Sequence, residues 1–219
     1  MRRPVHHSGS RCDQGYTLVE LMVVLAIAGI LAAAVVWEFA DPRADVKAGT
    51  LGLRTDLNMA RFEAVSRNQT VRVDFLLDTD LDGDGDADDG YRIWIDDFPA
   101  GAPDGTYTED PDPTLADTLI RVVPFPDGVE LYDIDFADGP DTTPSGGALV
   151  VTDGVSFSFG NNFTTFQSNG TAVAGTVYLY YPDDAGAPTE MRVAPYAVVL
   201  SSVGRVRVRV WRDGAWQLR

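Results

Sequence analysis

The sequence predicts an α+β fold, in which a long N-terminal helix precedes a series of short antiparallel strands. Three observations support this prediction. An uncharged apolar run of seventeen residues extends from Leu21 to Trp37. The hydrophobic pattern then keeps a helical period to about Arg67, and from Val71 onward apolar and polar residues alternate as they do in strands.

The apolar N-terminal run has the length and flanks of a membrane segment. With Tyr16 to Val19 it reaches about 20 residues, and three arginines precede it. Glu20 is the exception, because an ionised carboxylate costs roughly 2.5–3.5 kcal/mol inside a membrane helix. Such a residue usually has a partner, and an amine produced by cleavage before Tyr16 on a neighbouring subunit would provide one.

Two plainer interpretations of this segment are a secretory signal peptide and a simple signal anchor. The residues Ala32, Ala33 and Ala34 imitate a signal-peptidase site. However, the apolar region before them is longer than the usual 7–15 residues or so. Neither interpretation explains an acidic residue at Glu20.

The second half of the predicted helix is amphipathic. Pro42 predicts a kink or break. From Asp45 to about Arg67, apolar residues recur at helical spacing and form one stripe: Val46, Leu53, Leu57, Ala60 and Ala64. We therefore expect one long helix, apolar all round in its first half and packed on a sheet by one face in its second half.

The strand predictions cover most of the remaining chain. Strands with alternating patterns are predicted at Val71–Leu77 and Tyr91–Ile95. The shorter candidates are Leu119–Val123, Val129–Ile134, Val155–Phe159, Thr176–Tyr181, Met191–Leu200 and Arg205–Trp211. Residues 97–116 are rich in Pro, Gly, Asp and Thr, which predicts a long surface loop.

Charge is concentrated in the middle of the chain. The net charge is −16, and residues 74–142 hold 21 Asp or Glu against only Arg92 and Arg121. An acidic surface of this kind discourages general binding to nucleic acid or anionic lipid and favours divalent cations.

The chain contains few residues suited to catalysis. Its two histidines, His6 and His7, and its one cysteine, Cys12, all lie in the first fifteen residues. The remainder therefore offers no Ser–His or Cys–His nucleophile system, makes a zinc site improbable and cannot form a disulfide. We expect a protein that is not an enzyme.

The residues around Gly15 resemble the type IV prepilin signature, a Gly followed by Phe-Thr-Leu-Ile-Glu at the head of a hydrophobic helix. Tyr16 replaces the Phe and Val19 the Ile, and both keep the physical type; Gly15, Thr17, Leu18, Glu20 and Leu21 match. The resemblance implies that a prepilin peptidase cleaves after Gly15 and methylates the Tyr16 amine. It also implies that Glu20 pairs with a neighbour's N-terminal amine as helices bundle into a filament.

Later segments resemble the GspH/FimT group of minor pseudopilins and minor pilins, which has a pilin-like fold. The similar stretches are Ala60–Val73, Phe166–Gly170, Thr176–Tyr181 and Val199–Val206. The acidic residues 78–147 depart from the group and are interpreted as an insertion. The expected organisation is a leader at 1–15, a membrane and filament-core helix at 16–37, its amphipathic continuation at 38–67 and a β-rich domain at 68–219.

Residues 78–89 have the spacing of a twelve-residue calcium loop, with Gly83 at the sharp-turn position. The six predicted ligands are Asp78, Asp80, Asp82, Asp84, Asp86 and Asp89. Position twelve carries Asp instead of Glu, and strands instead of helices flank the loop. The interpretations are a structural Ca2+ site and a solvated acidic hairpin loop.

Arg205, Arg207 and Arg209 alternate with valines, which places three guanidinium groups on one strand face. They could contact DNA phosphates. They could equally form the solvated face of a half-buried strand, or pair with the acidic middle.

We therefore expect a minor pseudopilin of a type II secretion system. It would be a single-pass protein of the bacterial inner membrane with a periplasmic C-terminal domain. Its partners would be other pseudopilins or pilins, the prepilin peptidase and possible secreted cargo. The alternative is a FimT-like minor type IV pilin for pilus assembly or DNA uptake, whose arginines contact DNA.

Overall fold

The computed structural model describes residues 17–38, 42–81, 83, 85, 87–97, 105–109, 116–131, 142–146, 154–158, 162–182 and 193–219. The chain forms two compact units, Met1–Asp41 and Pro42–Arg219.

The first unit contains helix α1, Leu18–Glu38. Thr17 caps its N-terminus, because its Oγ1 accepts a hydrogen bond of 3.2 Å from the Glu20 N–H and its carbonyl accepts one of 3.2 Å from the Leu21 N–H. Among the residues that the structure describes, no helix is both long and apolar enough to be identified as a membrane span.

The second unit begins with helix α2, Pro42–Arg67. Pro42 is its first residue, a position that tolerates proline because the first helical N–H groups have no partner within the helix. The amphipathic pattern from Asp45 to about Arg67 lies within this helix. We predicted one long helix. The junction between α1 and α2, residues 39–41, lies outside the described residues, so this prediction is not tested.

The predicted apolar stripe of α2 is confirmed. Its five members are all buried in the core: Val46, Leu53, Leu57, Ala60 and Ala64. Gly49 is buried as well, and a Cβ there would lie 3.2 Å from the Pro126 side chain, so the residue permits close packing at a cost in helix propensity. The helix ends at Arg67, and the residue after it, Asn68, has a φ of +56°, the left-handed conformation that often follows a helix.

Ten strands follow within the described residues. In chain order they are β1 Val71–Thr79, β2 Asp88–Ile95, β3 Thr118–Pro124, β4 Glu130–Leu131, β5 Val155–Phe157, β6 Phe163–Phe166, β7 Gly175–Tyr180, β8 Tyr196–Leu200, β9 Val206–Arg212 and β10 Ala215–Leu218. All eight predicted strands have a counterpart, with shifted ends, whereas β6 and β10 were not predicted.

The strands form two antiparallel sheets. The four-stranded sheet has the order β3-β2-β1-β6, and the six-stranded sheet has the order β10-β9-β8-β7-β4 with β5 also paired to β7. Helix α2 contacts strands of both sheets. The rings of Phe75 and Phe157 stack at 5.6 Å between centroids and join the two sheets in the shared core.

The acidic middle contributes to this core. Strands β2 and β3 come from it, and Ile93 and Ile95 are buried in the core. The predicted loop at 97–116 is described only in part. The Asp117 carboxylate fixes that part, because it accepts hydrogen bonds from the N–H of Asp97 at 3.1 Å and the N–H of Thr108 at 2.8 Å.

Candidate functional site

The residues predicted for cleavage, methylation and assembly are Gly15, Tyr16 and Glu20. Gly15 and Tyr16 fall outside the described residues. Glu20 occupies the first turn of α1 and is exposed, and no described side chain pairs with its carboxylate. A carboxylate in the first turn interacts favourably with the helix dipole, and an exposed one remains available to a partner outside the chain.

The predicted calcium loop is described in part, because Asp82, Asp84 and Asp86 lie outside the described residues. Gly83 has φ +85°, as its sharp-turn position requires, and its N–H donates to Asp80 Oδ1 at 2.7 Å. Within the described part of the chain, no group of three or more possible metal ligands is found. Calcium binding therefore stays a prediction.

The last of the predicted ligands, Asp89, accepts two backbone hydrogen bonds within the fold. Its Oδ1 accepts the Asp78 N–H at 3.1 Å and its Oδ2 accepts the Leu131 N–H at 2.7 Å. Burial raises the pKa of Asp89, and these two backbone hydrogen bonds oppose that shift. The carboxylate thus holds the ends of the loop together and joins β2 to β4.

The predicted alternation along β9 is confirmed. Val206, Val208 and Val210 are buried, whereas Arg205 and Arg207 are exposed and Arg209 is half-buried. None of the three guanidinium groups forms a hydrogen bond or ion pair with another described residue. Pairing with the acidic middle, one of the interpretations of this stripe, is therefore not observed among the described residues.

A shallow groove adjoins two of these arginines. Val199, Ser201, Val203, Arg205 and Arg207 line it, and its volume is about 300 Å3. It combines two cationic groups with an apolar floor, so it suits a partner that is both acidic and apolar.

One residue that the sequence prediction missed, Arg61, supports the turn beside this groove. Arg61 Nε donates to the Gly170 carbonyl at 3.0 Å. A Cβ on Gly204 would lie 2.4 Å from that carbonyl and 2.8 Å from Arg61 Nε, and Gly204 has φ +70°. Both glycines are therefore required for this close approach. The signal in the sequence was an arginine that borders the buried alanine stripe of α2.

A second missed feature is a buried polar network between α2 and the four-stranded sheet. Tyr91 donates its hydroxyl to Asp56 Oδ2 at 2.8 Å, and Arg121 Nη1 lies 2.9 Å from Asp56 Oδ1. Burial, followed by the hydrogen bond to Asp56, raises the pKa of Tyr91, so the phenol stays neutral and remains a donor. An aspartate inside an apolar helical stripe, next to Leu57, was the available signal.

Comparison with known proteins identifies the family. Residues 51–214 match the family model described as type II transport protein GspH, and residues 10–36 match the prokaryotic N-terminal methylation motif. Neither the curated proteins nor the solved structures contain a significant match. Since the first match covers well over half of the chain, the protein belongs to the GspH family of type II transport proteins and carries the N-terminal methylation motif of prokaryotes.

Proposed function

We propose that this protein is a minor pseudopilin of a type II secretion system, which assembles into a short periplasmic pseudopilus that supports protein export. The observation that carries the proposal is the order of features in one chain. A methylation motif at residues 10–36 overlaps the apolar helix α1, and the GspH match begins at residue 51. The protein would act by assembly and not by catalysis.

The proposed sequence of events begins in the inner membrane. The prepilin peptidase cleaves between Gly15 and Tyr16 and methylates the new amine. The apolar segment then holds the chain as a single-pass protein, with the unit Pro42–Arg219 in the periplasm. Assembly transfers α1 from lipid into a bundle of helices from neighbouring subunits.

Glu20 would guide that transfer. A carboxylate in an apolar helix is costly unless it is paired, and a neighbour's N-terminal amine offers the opposite charge. The exposed position of Glu20 on the first turn of α1 supports this role, since it leaves the carboxylate accessible to another subunit.

The test compares Glu20→Val with Glu38→Val, which removes the acid at the other end of the same helix. Both variants should insert into the membrane. The Glu20→Val chain should be at least several-fold depleted from the filament fraction released from spheroplasts relative to the membrane fraction, whereas Glu38→Val should be recovered like the parent. Normal incorporation of Glu20→Val would refute the assembly role of this residue.

The alternative is a minor type IV pilin that contacts DNA during uptake. The exposure of Arg205 and Arg207, without a described ion pair, favours it. The net charge of −16 opposes it.

A gel shift with DNA, repeated at low and moderate salt, separates the two functions. If the arginines bind phosphates, Arg205→Ala/Arg207→Ala should abolish a salt-sensitive shift that Arg54→Ala leaves intact. On the secretion proposal, the parent chain gives no shift at physiological salt.

A further inference from the structure

Helix α2 carries a second stripe of residues on the face opposite its core stripe. Its members follow one another at alternating spacings of three and four residues, and all are exposed: Ala48, Leu51, Thr55, Asn58, Phe62 and Val65. Phe62 is 69% exposed, Val65 50% and Leu51 42%. We call these six residues the outer seam. Alternating spacings of three and four are typical of a helix face that packs along a second helix.

The two polar members of the outer seam are compatible with burial under another helix. Thr55 Oγ1 donates to the Leu51 carbonyl at 2.9 Å, and Asn58 Nδ2 donates to the Arg54 carbonyl at 2.7 Å. Each bond stays within α2, so a covering helix would not leave the Thr55 hydroxyl proton without an acceptor. A single Asn in such a seam fixes the register of the partner at a cost in stability.

A groove in the outer seam has the arrangement of a hole for one side chain of a packed helix. Asn58, Arg61, Phe62 and Val65 line this groove, whose volume is about 310 Å3. They stand at positions i, i+3, i+4 and i+7, which are the four corners of the hole that receives a side chain in knobs-into-holes packing. The hydrogen bond from Arg61 to the Gly170 carbonyl, at 3.0 Å, fixes one of these corners.

Cations lie along one flank of the outer seam. Lys47, Arg54 and Arg61 each directly precede a seam residue, whereas the three residues that follow seam positions on the other flank are uncharged: Gly52, Met59 and Ser66. Among the described residues, Lys47 and Arg54 form no ion pair. A partner with acids beside its own apolar stripe would therefore complement this flank.

The acids of α2 do not neutralise these two cations. Asp56 is buried and bonded to Tyr91 and Arg121, and Glu63 pairs with Arg67 at 2.6 Å. The remaining acid, Asp45, lies in the first turn, before the outer seam begins. The cationic flank thus remains available to another chain.

A second copy of α2 does not complement the outer seam. If the two helices were parallel, Lys47 and Arg54 of one copy would face Gly52 and Met59 of the other. If they were antiparallel, the cationic flanks would face each other. The first arrangement forms no ion pair, and the second brings like charges together, which disfavours self-association.

We infer that the outer seam docks an amphipathic helix of a different subunit, whose apolar stripe is flanked by acids that face Lys47 and Arg54. The inference rests on the proposed assembly role and names the class of partner for the second unit. The two helices run parallel, because both chains would leave the membrane in the same direction. The outer seam is about 26 Å long, since a helix rises about 1.5 Å per residue. A contact this short gains from the high effective concentration of two chains in one membrane.

The test is therefore made in the native host with the full chain. The photoreactive residue p-benzoyl-phenylalanine replaces Phe62, and the product is mapped by mass spectrometry. The expected partner is another chain of the host with an N-terminal methylation motif. The expected attachment point is a helix with apolar residues at spacings of three and four and acids beside them. The same photoreactive residue at Leu218, which is 67% exposed on β10, is the matched control and should not give this product.

Three results of this experiment would overturn the inference. They are attachment to a strand or loop of the partner, attachment to a second copy of this chain, and the absence of any product at Phe62.

Charge reversal tests the acidic partner. Lys47→Glu/Arg54→Glu should reduce the Phe62 product at least several-fold, and changing the mapped acids of the partner to lysine should restore it. Arg205→Glu/Arg207→Glu reverses two exposed cations on β9 and should leave the product unchanged. A full yield from Lys47→Glu/Arg54→Glu would contradict an acidic partner.

Export measured in the same strains separates this inference from the proposed function. If export requires the chain but Phe62 gives no product, the proposed function stands and only the inference fails. If the mapped helical product forms in a host whose export does not need the chain, the inference stands and the proposed function is refuted.

Discussion

At the scale of single residues, Asp56 shows how the helix is locked to the sheet. Its carboxylate is buried within the apolar side of α2 and accepts hydrogen bonds from Tyr91 and Arg121. A buried charge is tolerated only when it is paired and hydrogen-bonded. The network therefore fixes how β2 and β3 lie on the helix.

Tyr91→Phe should lower the free energy of unfolding by about 1–3 kcal/mol, because it leaves one oxygen of a buried carboxylate without its donor. Tyr181→Phe is the control, since its hydroxyl forms no hydrogen bond with the described residues; a change within about 0.5 kcal/mol is expected there. Urea denaturation of both variants measures the difference. Equal stability of the two would show that the Tyr91 hydroxyl contributes nothing.

The buried tyrosines also predict that the folded domain loses stability at alkaline pH. Burial raises the pKa of Tyr178 to about 12 and raises that of Tyr91 as well. The unfolded chain releases these protons near pH 10 while the folded chain keeps them, so stability falls as the pH rises above about 10. Each tyrosine contributes a slope of up to about 1.4 kcal/mol per pH unit.

This slope can be measured cleanly because the chain has one lysine, Lys47, and arginine stays protonated in this range. Unfolding between pH 9 and pH 11 should show the loss, and Tyr91→Phe should make it shallower. A stability that does not change with pH across this interval would contradict the burial of these phenols.

The sequence predicted which residues of a strand are exposed, but it did not predict the contacts of the buried polar residues. The alternation of Arg205 and Arg207 with valines follows from a period of two, which any half-buried strand imposes. The partners of Asp56 and Arg61 could not be predicted, because they come from sequence positions 35 and 109 residues away. Only the tertiary fold brings such groups together.

At the scale of elements, α2 is the organising helix of the second unit. One face lies in the core between the two sheets, and the opposite face carries exposed apolar residues such as Phe62. Its exposed face therefore offers apolar side chains in addition to those that form the core. The helix therefore contributes mainly to the stability of the second unit.

Leu53→Ala should lower the free energy of unfolding by about 2–5 kcal/mol, because Leu53 is fully buried and its loss leaves a cavity. Leu51→Ala removes the same atoms from an exposed position on the same helix and should change stability by less than about 0.5 kcal/mol. Thermal unfolding of the two variants provides the comparison. Similar losses for both would contradict the assignment of the core face.

The acidic loop between β1 and β2 allows a test of calcium binding. If residues 78–89 bind calcium, calorimetry should detect binding at millimolar calcium, and Asp80→Ala/Asp82→Ala should remove it. Glu109→Ala/Asp127→Ala removes the same charge elsewhere on the acidic surface and should leave the binding intact. The absence of any heat from the parent chain would refute the calcium site.

The element predictions succeeded where the pattern was strong. The core stripe of α2 was predicted from its period, whereas β6 was missed because Phe163 faces outward and stacks on Arg72, whose guanidinium carbon lies 3.5 Å from the ring centroid. Strand β10 is largely exposed and lacks an apolar alternation. It could have been predicted from Asp213-Gly214, a two-residue hairpin turn with φ values of +53° and +69°.

At the scale of the whole molecule, the sequence was sufficient for the family and the α+β class. The methylation motif and the C-terminal stretches are local, so a single sequence displays them directly. The division of the strands into two sheets was not predictable, because the pairing of β1 with β6 joins segments about 90 residues apart. The sequence alone could not show that β3 and the arginines of β9 lie apart, because this follows from their placement in different sheets.

The most direct test of the account is the profile of secreted proteins in a strain that lacks this chain, compared with its parent and with a strain complemented by the intact gene. The account predicts that specific exported proteins disappear from the medium and return on complementation, while pili and DNA uptake are unaffected. An unchanged secretome would contradict it and would favour a type IV pilus instead.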